Sequence, residues 1–210
     1  MCSPQSTKEL AKGNYISYEQ AVDFHGHSCG GLASGYRVAI AAMKALGVDR
    51  PKDEELVAIA ETDACGVDAI QMITGCTAGK GNLIIYDYGK HAFSFYCRKS
   101  NKAVRVATCL EGLMPKEMDD LRPKVFSGQA NEAETARYQE LARQGVQAIL
   151  EAPDEKIISL KFIEMLPPKK ARIFKSIPCE GCGEMVADAK TREYEGKRVC
   201  MPCYQSAHGE

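Results

Sequence analysis

The chain has 210 residues, 45% of them hydrophobic and 26% charged, with a formal net charge of -1. That length and balance belong to a soluble globular protein with one sizeable core and room for a small appendage. The near-neutral charge gives no global attraction to nucleic acid or acidic lipid, and no apolar run reaches the roughly 18 to 20 residues of a membrane span. Residues 1–14 read as a polar leader without the apolar centre of a signal peptide, so a cytoplasmic setting is expected. Ten cysteines are many for this length, and in a reducing cytosol their leading use is metal ligation. Cys2, in the leader, is expected to be incidental, and Cys97 and Cys109, in strand-like runs, to be buried hydrophobes.

Ser17 is expected to cap a short helix that delivers Phe24-His25-Gly26-His27-Ser28-Cys29-Gly30-Gly31. Here two of the chain's four histidines and a thiol fall at every second position. In an extended or tightly turned backbone such side chains emerge on one side, and their chemistry suits Zn²⁺. Leu32 to Leu46 is apolar on nearly every face, with Arg37 and Lys44 as a narrow polar stripe, and predicts a buried helix stopped at Gly47. Since this helix begins right after Cys29, its free amides are expected to lower that thiol's pKa.

Leu56 to Ala60 predicts a buried strand ending in Glu61-Thr62-Asp63-Ala64-Cys65-Gly66. Polar residues there stand at the carboxyl end of the sheet, where open α/β sheets bind ligands. Asp63 and Cys65 are therefore site candidates, with capping of the next helix by Asp63 and plain packing of Cys65 as the other readings. Val67 to Thr74 predicts that helix, with Asp68 and Gln71 on its exposed or site-facing side. The loop from Gly75 to Asn82 contains Lys80 but lacks the Walker A spacing and its Ser or Thr, which removes nucleotide hydrolysis. Lys80 stands as a candidate anchor for an anionic substrate group, with a plain helix-to-strand turn as the other reading.

Runs 82–87, 91–98 and 103–109 predict an antiparallel meander, and the alternation over Ala92 to Tyr96 implies one face on the core and one more open. Asn131 to Glu151 is an amphipathic helix capped by Asn131, with Tyr138, Leu141, Ala142, Gly145 and Ile149 as core or dimer contacts. After a last strand over Ile157 to Met165, Pro167-Pro168-Lys169-Lys170 forms a stiff break. It divides an α+β core of 1–168 from a linker and finger of 169–210. Cys179 and Cys182, then Cys200 and Cys203, are pairs with two-residue spacers, the pattern of a structural Zn²⁺ site. Arg192 to Val199 reads as a hairpin and Pro202 as the first turn of a helix, giving a treble-clef finger. So short a unit needs bound metal to supply its folding free energy.

Taken together, the Phe24 to Gly31 segment, Asp63-Ala64-Cys65-Gly66-Val67-Asp68-Ala69-Ile70-Gln71 and the Gly75 to Asn82 loop resemble the E-subunit family of formylmethanofuran dehydrogenase. The resemblance covers most of residues 15–165, and the finger is similar to an auxiliary treble clef carried by some members. Gly30 departs from the family, which usually has Pro after the Cys; the departure loosens the turn without removing a ligand. The resemblance implies a thioredoxin-like α+β core with a mixed sheet flanked by helices, commonly as a homodimer. It also implies a metal site built from the His-Cys motif and the Asp-Ala-Cys segment. No Cys-x-x-Cys occurs before residue 179, so thioredoxin-type disulfide chemistry does not follow. Formylmethanofuran oxidation needs a molybdenum or tungsten pterin and iron-sulfur centres, so such a chain would serve beside other subunits of that complex as an accessory.

Three functions follow for testing. In the first, His27, Cys29 and Cys65 bind Zn²⁺ with an open fourth position where a water or a one-carbon carbonyl is polarised, with His25 behind them or carrying protons and Lys80 anchoring substrate. The candidate catalytic set is then His25, His27, Cys29, Asp63, Cys65 and Lys80. In the second, the same ligands serve metal handling or assembly without turnover. The third, a nucleic-acid regulator, is the weakest, because Lys190, Arg192, Lys197 and Arg198 are offset by Glu180, Glu184, Asp188, Glu193 and Glu195.

Overall fold

The computed structural model describes residues 15–209; the leader and Cys2 lie outside the described residues. The chain divides into two compact units between Lys170 and Ala171, two residues after the expected boundary.

The first unit begins with α1 (Tyr18–His25), whose cap Ser17 forms a reciprocal box with Gln20. The box satisfies two of the amides that a helix start leaves bare. Helix α2 (Gly30–Leu46) is buried along most of its length and stops at Gly47, in the left-handed region at φ 64°. Strand β1 (Leu56–Ala60) leads into α3 (Gly66–Thr74) and then β2 (Leu83–Ile85). Next come β3 (Ala92–Cys97) and β4 (Lys102–Thr108), α4 (Glu117–Phe126) and α5 (Glu132–Glu151), then the short α6 (Asp154–Ile157) and β5 (Ile158–Ile163). As expected, Asn131 caps α5.

The five strands form one mixed sheet in the order β2-β1-β3-β4-β5. The expected meander holds only for β3 and β4, which pair antiparallel. Strand β2 does not pair with β3; it lies parallel to β1, with Ala58 opposite Leu83, because α3 crosses over between them as parallel neighbours require. The other edge of β1 is taken antiparallel by β3. One row of side chains, Leu83, Ala58, Phe95, Val104 and Phe162, therefore crosses the whole sheet. Its four buried members, all but Phe162, share a face with Leu56, Ala60, Phe93, Cys97 and Val106, and α2 and α3 cover that face in the main core. The other face carries a smaller cluster of Val57, Tyr96 and Ala103 with Ile84, Ile163 and Met165. All six residues of β3 are buried, so the expected open face is closed there. Cys97 is buried as expected, but Cys109 is exposed, since β4 ends at Thr108 and the chain turns away.

Two contacts set the helices. Arg37 is not a solvated residue: its guanidinium donates to the carbonyls of Ile149, Leu150 and Ala152 at 2.6–2.7 Å and pairs with Asp154 at 2.6 Å. It thus satisfies the carbonyls that the end of α5 leaves without helical partners. The second is the approach of α2 to α3. A Cβ on Gly35 would lie 2.4 Å from the carbonyl oxygen and 2.6 Å from the Cα of Gly66, so the two helices touch backbone to backbone.

The second unit pairs β6 (Ser176–Pro178) with β7 (Met185–Ala187) and β8 (Arg192–Tyr194) with β9 (Lys197–Val199), and ends in α7 (Met201–His208). Its small core consists of Cys179, Val199 and Cys200 with Val186, Tyr194, Cys203 and Tyr204, so ligand sulfurs make up much of what it buries.

Gly35→Ala separates two effects. An Ala inside a helix is worth roughly 0.5–1 kcal/mol over Gly, whereas a Cβ forced against backbone costs about 1–3 kcal/mol. The contact should win and the melting temperature of the first unit should fall; an unchanged or raised value would mean the helices do not depend on this approach.

Candidate metal centres

The core candidates assemble at the carboxyl end of β1. His25 is the last residue of α1, and Gly26 follows at φ 92°. That left-handed turn is open to glycine without cost and reverses the chain. Cys29 then caps α2, its Sγ accepting from the Leu32 amide at 3.3 Å. Cys65 precedes α3 and lies against Gly31, where an added Cβ would sit 3.1 Å from the Cys65 Cβ and 3.9 Å from both sulfurs. One donor atom from each of His25, His27, Cys29 and Cys65 lies within 4.8 Å of the others.

Of the extended and the tightly turned backbone that would gather these side chains, the segment has the turned one. His25 reaches the group from a helix end, four residues from Cys29, with its Nε2 at 4.0 Å from the Cys29 Sγ. Its other nitrogen, Nδ1, is 2.7 Å from Asp68 Oδ2, and Gln71 Nε2 donates to Asp68 Oδ1 at 3.2 Å. His25 thus lies among the clustered donor atoms rather than behind them, and Asp68 is what stands behind. Tyr18 holds the turn from the other side, its hydroxyl 2.9 Å from Ser28 Oγ. Burial pushes the Cys65 thiol up, and the neighbouring Cys29 pushes it further, so a cation beside it would favour the Cys65 thiolate.

Two nitrogens and two sulfurs in this arrangement fit zinc, whose bonds of about 2.0–2.3 Å to such donors place them roughly 3.5 Å apart in a tetrahedron. Zinc so held would supply Lewis acidity to a small oxygen donor.

Other candidates fall elsewhere. Asp63 is exposed and outside the donor group, and it does not cap α3, whose N-cap position is Cys65. Lys80 lies at the opposite end of β1, its Nζ 3.5 Å from the carbonyl of Asp53. The loop it sits in is a helix-to-strand turn tied by buried Asn82, which accepts from the Thr77 amide and donates to the Leu56 carbonyl. A cavity of about 730 Å³ beside Glu55, Tyr96, Arg98 and Asn101 opens at that same remote end and has no share in the donor site. Cys76 is fully buried, donates to the Leu56 carbonyl and is pushed up to about 11 by burial, which makes it inert. The helix pattern puts Asp68 and Gln71 on the exposed or site-facing side of α3, but residue pattern alone does not mark Asp68 as the partner of His25.

In the second unit the sulfurs of Cys179 and Cys203, and those of Cys182 and Cys200, are 3.8 Å apart. That is about the edge of a tetrahedron with 2.3 Å zinc–sulfur bonds. Gly181 is required by the same packing, since a Cβ there would meet the Cys203 Sγ at 3.1 Å. The amide of Cys182, with those of Cys200 and Gly181, holds Cys179 down at about 6, while the surrounding sulfurs push Cys203 up to about 12.

These sites and the fold define a metal-binding α+β protein with an appended four-cysteine finger. Residues 24–159 match the family described as "FmdE, Molybdenum formylmethanofuran dehydrogenase operon", and the chain belongs to that family. Residues 172–207 match the "Prokaryotic dksA/traR C4-type zinc finger". Over 192 residues the chain is 35% identical to a curated protein of Archaeoglobus fulgidus named "Probable S-adenosyl-L-methionine-binding protein", in an alignment taking 88% of this chain and 51% of that protein. The chain thus spans about half the length of that relative. Its fold is similar to the crystal structure of a tungsten formylmethanofuran dehydrogenase FmdE-like protein from Syntrophus aciditrophicus, with a TM-score of 0.58, 24% identity and coverage of 97% and 98% of the two chains.

Metal removal should act on the two units differently. A strong chelator is expected to abolish hydrogen-exchange protection over residues 178–208 while the first unit keeps its fold. Because Cys203 and Cys182 are raised, both are protonated at neutral pH and must release protons on binding. Finger affinity should therefore rise with pH; zinc binding that ignores pH, or a finger protected without metal, would contradict this.

Proposed function

We propose that the core is a zinc centre held by His25, His27, Cys29 and Cys65, and that the chain acts as a zinc-dependent accessory to formylmethanofuran dehydrogenase-type chemistry on a one-carbon carbonyl substrate. The observation that carries the reading is the meeting of two imidazoles and two thiols from three separate helix termini within 4.8 Å. A chance surface grouping would not have one of its imidazoles aimed by a carboxylate, as Asp68 aims His25. Family membership and the name of the solved neighbour supply the proposed context. A homodimer that docks with the other subunits of such a complex in the cytoplasm belongs to the same proposal. No helix among the described residues is long and apolar enough to cross a membrane.

A second reading, metal handling or assembly without turnover, is favoured by one fact: the protein itself can fill all four positions of a tetrahedral ion. Polarising a substrate requires a position that opens.

Metal analysis tests the centre. After zinc is added back and excess removed, the wild type should carry about two equivalents, Cys29→Ala about one, and Lys80→Ala about two, because four-thiolate and four-donor sites are each single-ion sites. Equal stoichiometry in wild type and Cys29→Ala would end the core assignment.

A further inference from the structure

We propose that the four core donors divide into three that the fold fixes and one, His27, that gives up its place to an outside ligand. This rests on the zinc-centre reading above. Cys29 is fixed by the amide of Leu32 and by its position as the cap of α2. Cys65 is fixed by its contact with Gly31 at the start of α3. His25 is fixed by Asp68, which is itself held by Gln71, and its side chain is only 10% exposed. Since a carboxylate only accepts hydrogen bonds, Nδ1 of His25 carries the hydrogen, and the Nε2 lone pair is left pointing toward Cys29.

His27 has none of this support. It is exposed, its ring touches that of His25 at a centroid distance of 4.5 Å, and it makes no hydrogen bond among the described residues. Its backbone follows Gly26, whose added Cβ would meet nothing within 4 Å, so the open side of the turn has room for the ring to swing away. Partners behind a ligand raise its basicity and hold it in register, and losing one costs about 10–100-fold in metal affinity. His27 has no such partner to lose, and is the donor with the least to hold it on the ion.

The three fixed donors, one nitrogen and two sulfurs, are a set that zinc accepts together with one exchangeable ligand. The vertex His27 vacates lies on the open side of the group, since His27 is exposed while His25, Cys29 and Cys65 are part-buried. The ligand class is a small nitrogen or oxygen donor binding through a single atom. The roles read from sequence are thereby exchanged: His25 is the permanent imidazole and His27 the replaceable one. The two readings of function are also joined, since the centre is closed at rest and open when His27 departs.

The test uses the full chain loaded with cobalt(II), whose visible bands report its ligands; the finger contributes the same bands to every variant, so differences arise in the core. His25→Ala and Asp68→Asn are expected to weaken core cobalt binding by about 10–100-fold, and His27→Ala by less than about tenfold. Added imidazole should shift the core bands of His27→Ala at concentrations that leave the wild type unchanged. Asp68→Asn keeps size and shape, so it reads the role of the carboxylate even if His25→Ala is poorly folded. The proposal is overturned if His27→Ala loses core cobalt as fully as Asp68→Asn, or if imidazole shifts neither protein. A wild type that takes up no core cobalt is a different failure, that of the zinc centre itself.

Discussion

The backbone contact between Gly35 and Gly66 is the constraint on which the core site rests. Helices α2 and α3 each begin at a cysteine, and each could pack on the sheet at the usual interaxial distance of about 8–10 Å. At that distance Cys29 and Cys65 would not meet. With no side chain at either glycine the helices close in, and Gly31 allows the Cys65 side chain to lie against the first turn of α2. The sheet provides the other half of the geometry. Because α3 crosses from β1 to a parallel β2, its N-terminus must emerge at the carboxyl end of β1, where polar ends of strands collect.

The two donor clusters surround their sulfurs in different ways. In the finger, amides of Cys182, Cys200 and Gly181 converge on Cys179 and hold it ionised near neutrality, so one ligand is ready before metal arrives. In the core, the Leu32 amide is the one amide that reaches Cys29 among the described residues, and Cys65 is pushed toward its neutral form by burial and by its neighbour. The core thus leans on imidazoles and on the Asp68 carboxylate, a combination that leaves room for ligand exchange. A four-sulfur finger whose core is largely its own cysteines has no such latitude, because releasing a ligand there dissolves the packing.

Membership of the FmdE family fixes the architecture more firmly than the chemistry, since fold and function are separable. What the family relation does not supply is the direction in which the donors face and which of them the fold supports. Those follow from Asp68, which lies outside the donor group, and from Gly35 and Gly66, which have no donor side chain. The curated relative extends well beyond the matched region, so partners encoded in that additional length are not a guide to this chain.

Much was legible from residue order. Helix caps at Ser17 and Asn131, the stop at Gly47 and the paired cysteines of the finger are local patterns, in which residues a few positions apart dictate the outcome. The β3–β4 hairpin is local as well. Strand order was not: the place of β1 between β2 and β3 depends on which edges pair across distant sequence, and no local period records that. In the core site, the residue types of His25, His27, Cys29 and Cys65 announced metal, but their roles did not follow from spacing. Lys80 looked close in a reading by motif and lies at the far end of β1. Asp68 was readable as either exposed or site-facing, and the fold turns it to the site, where it aims His25. The sequence by itself determined which atoms can bind metal, because that is a property of side-chain chemistry; only the tertiary structure decided which of them meet, because a contact between α1, α2 and α3 is made by packing across some forty residues of chain.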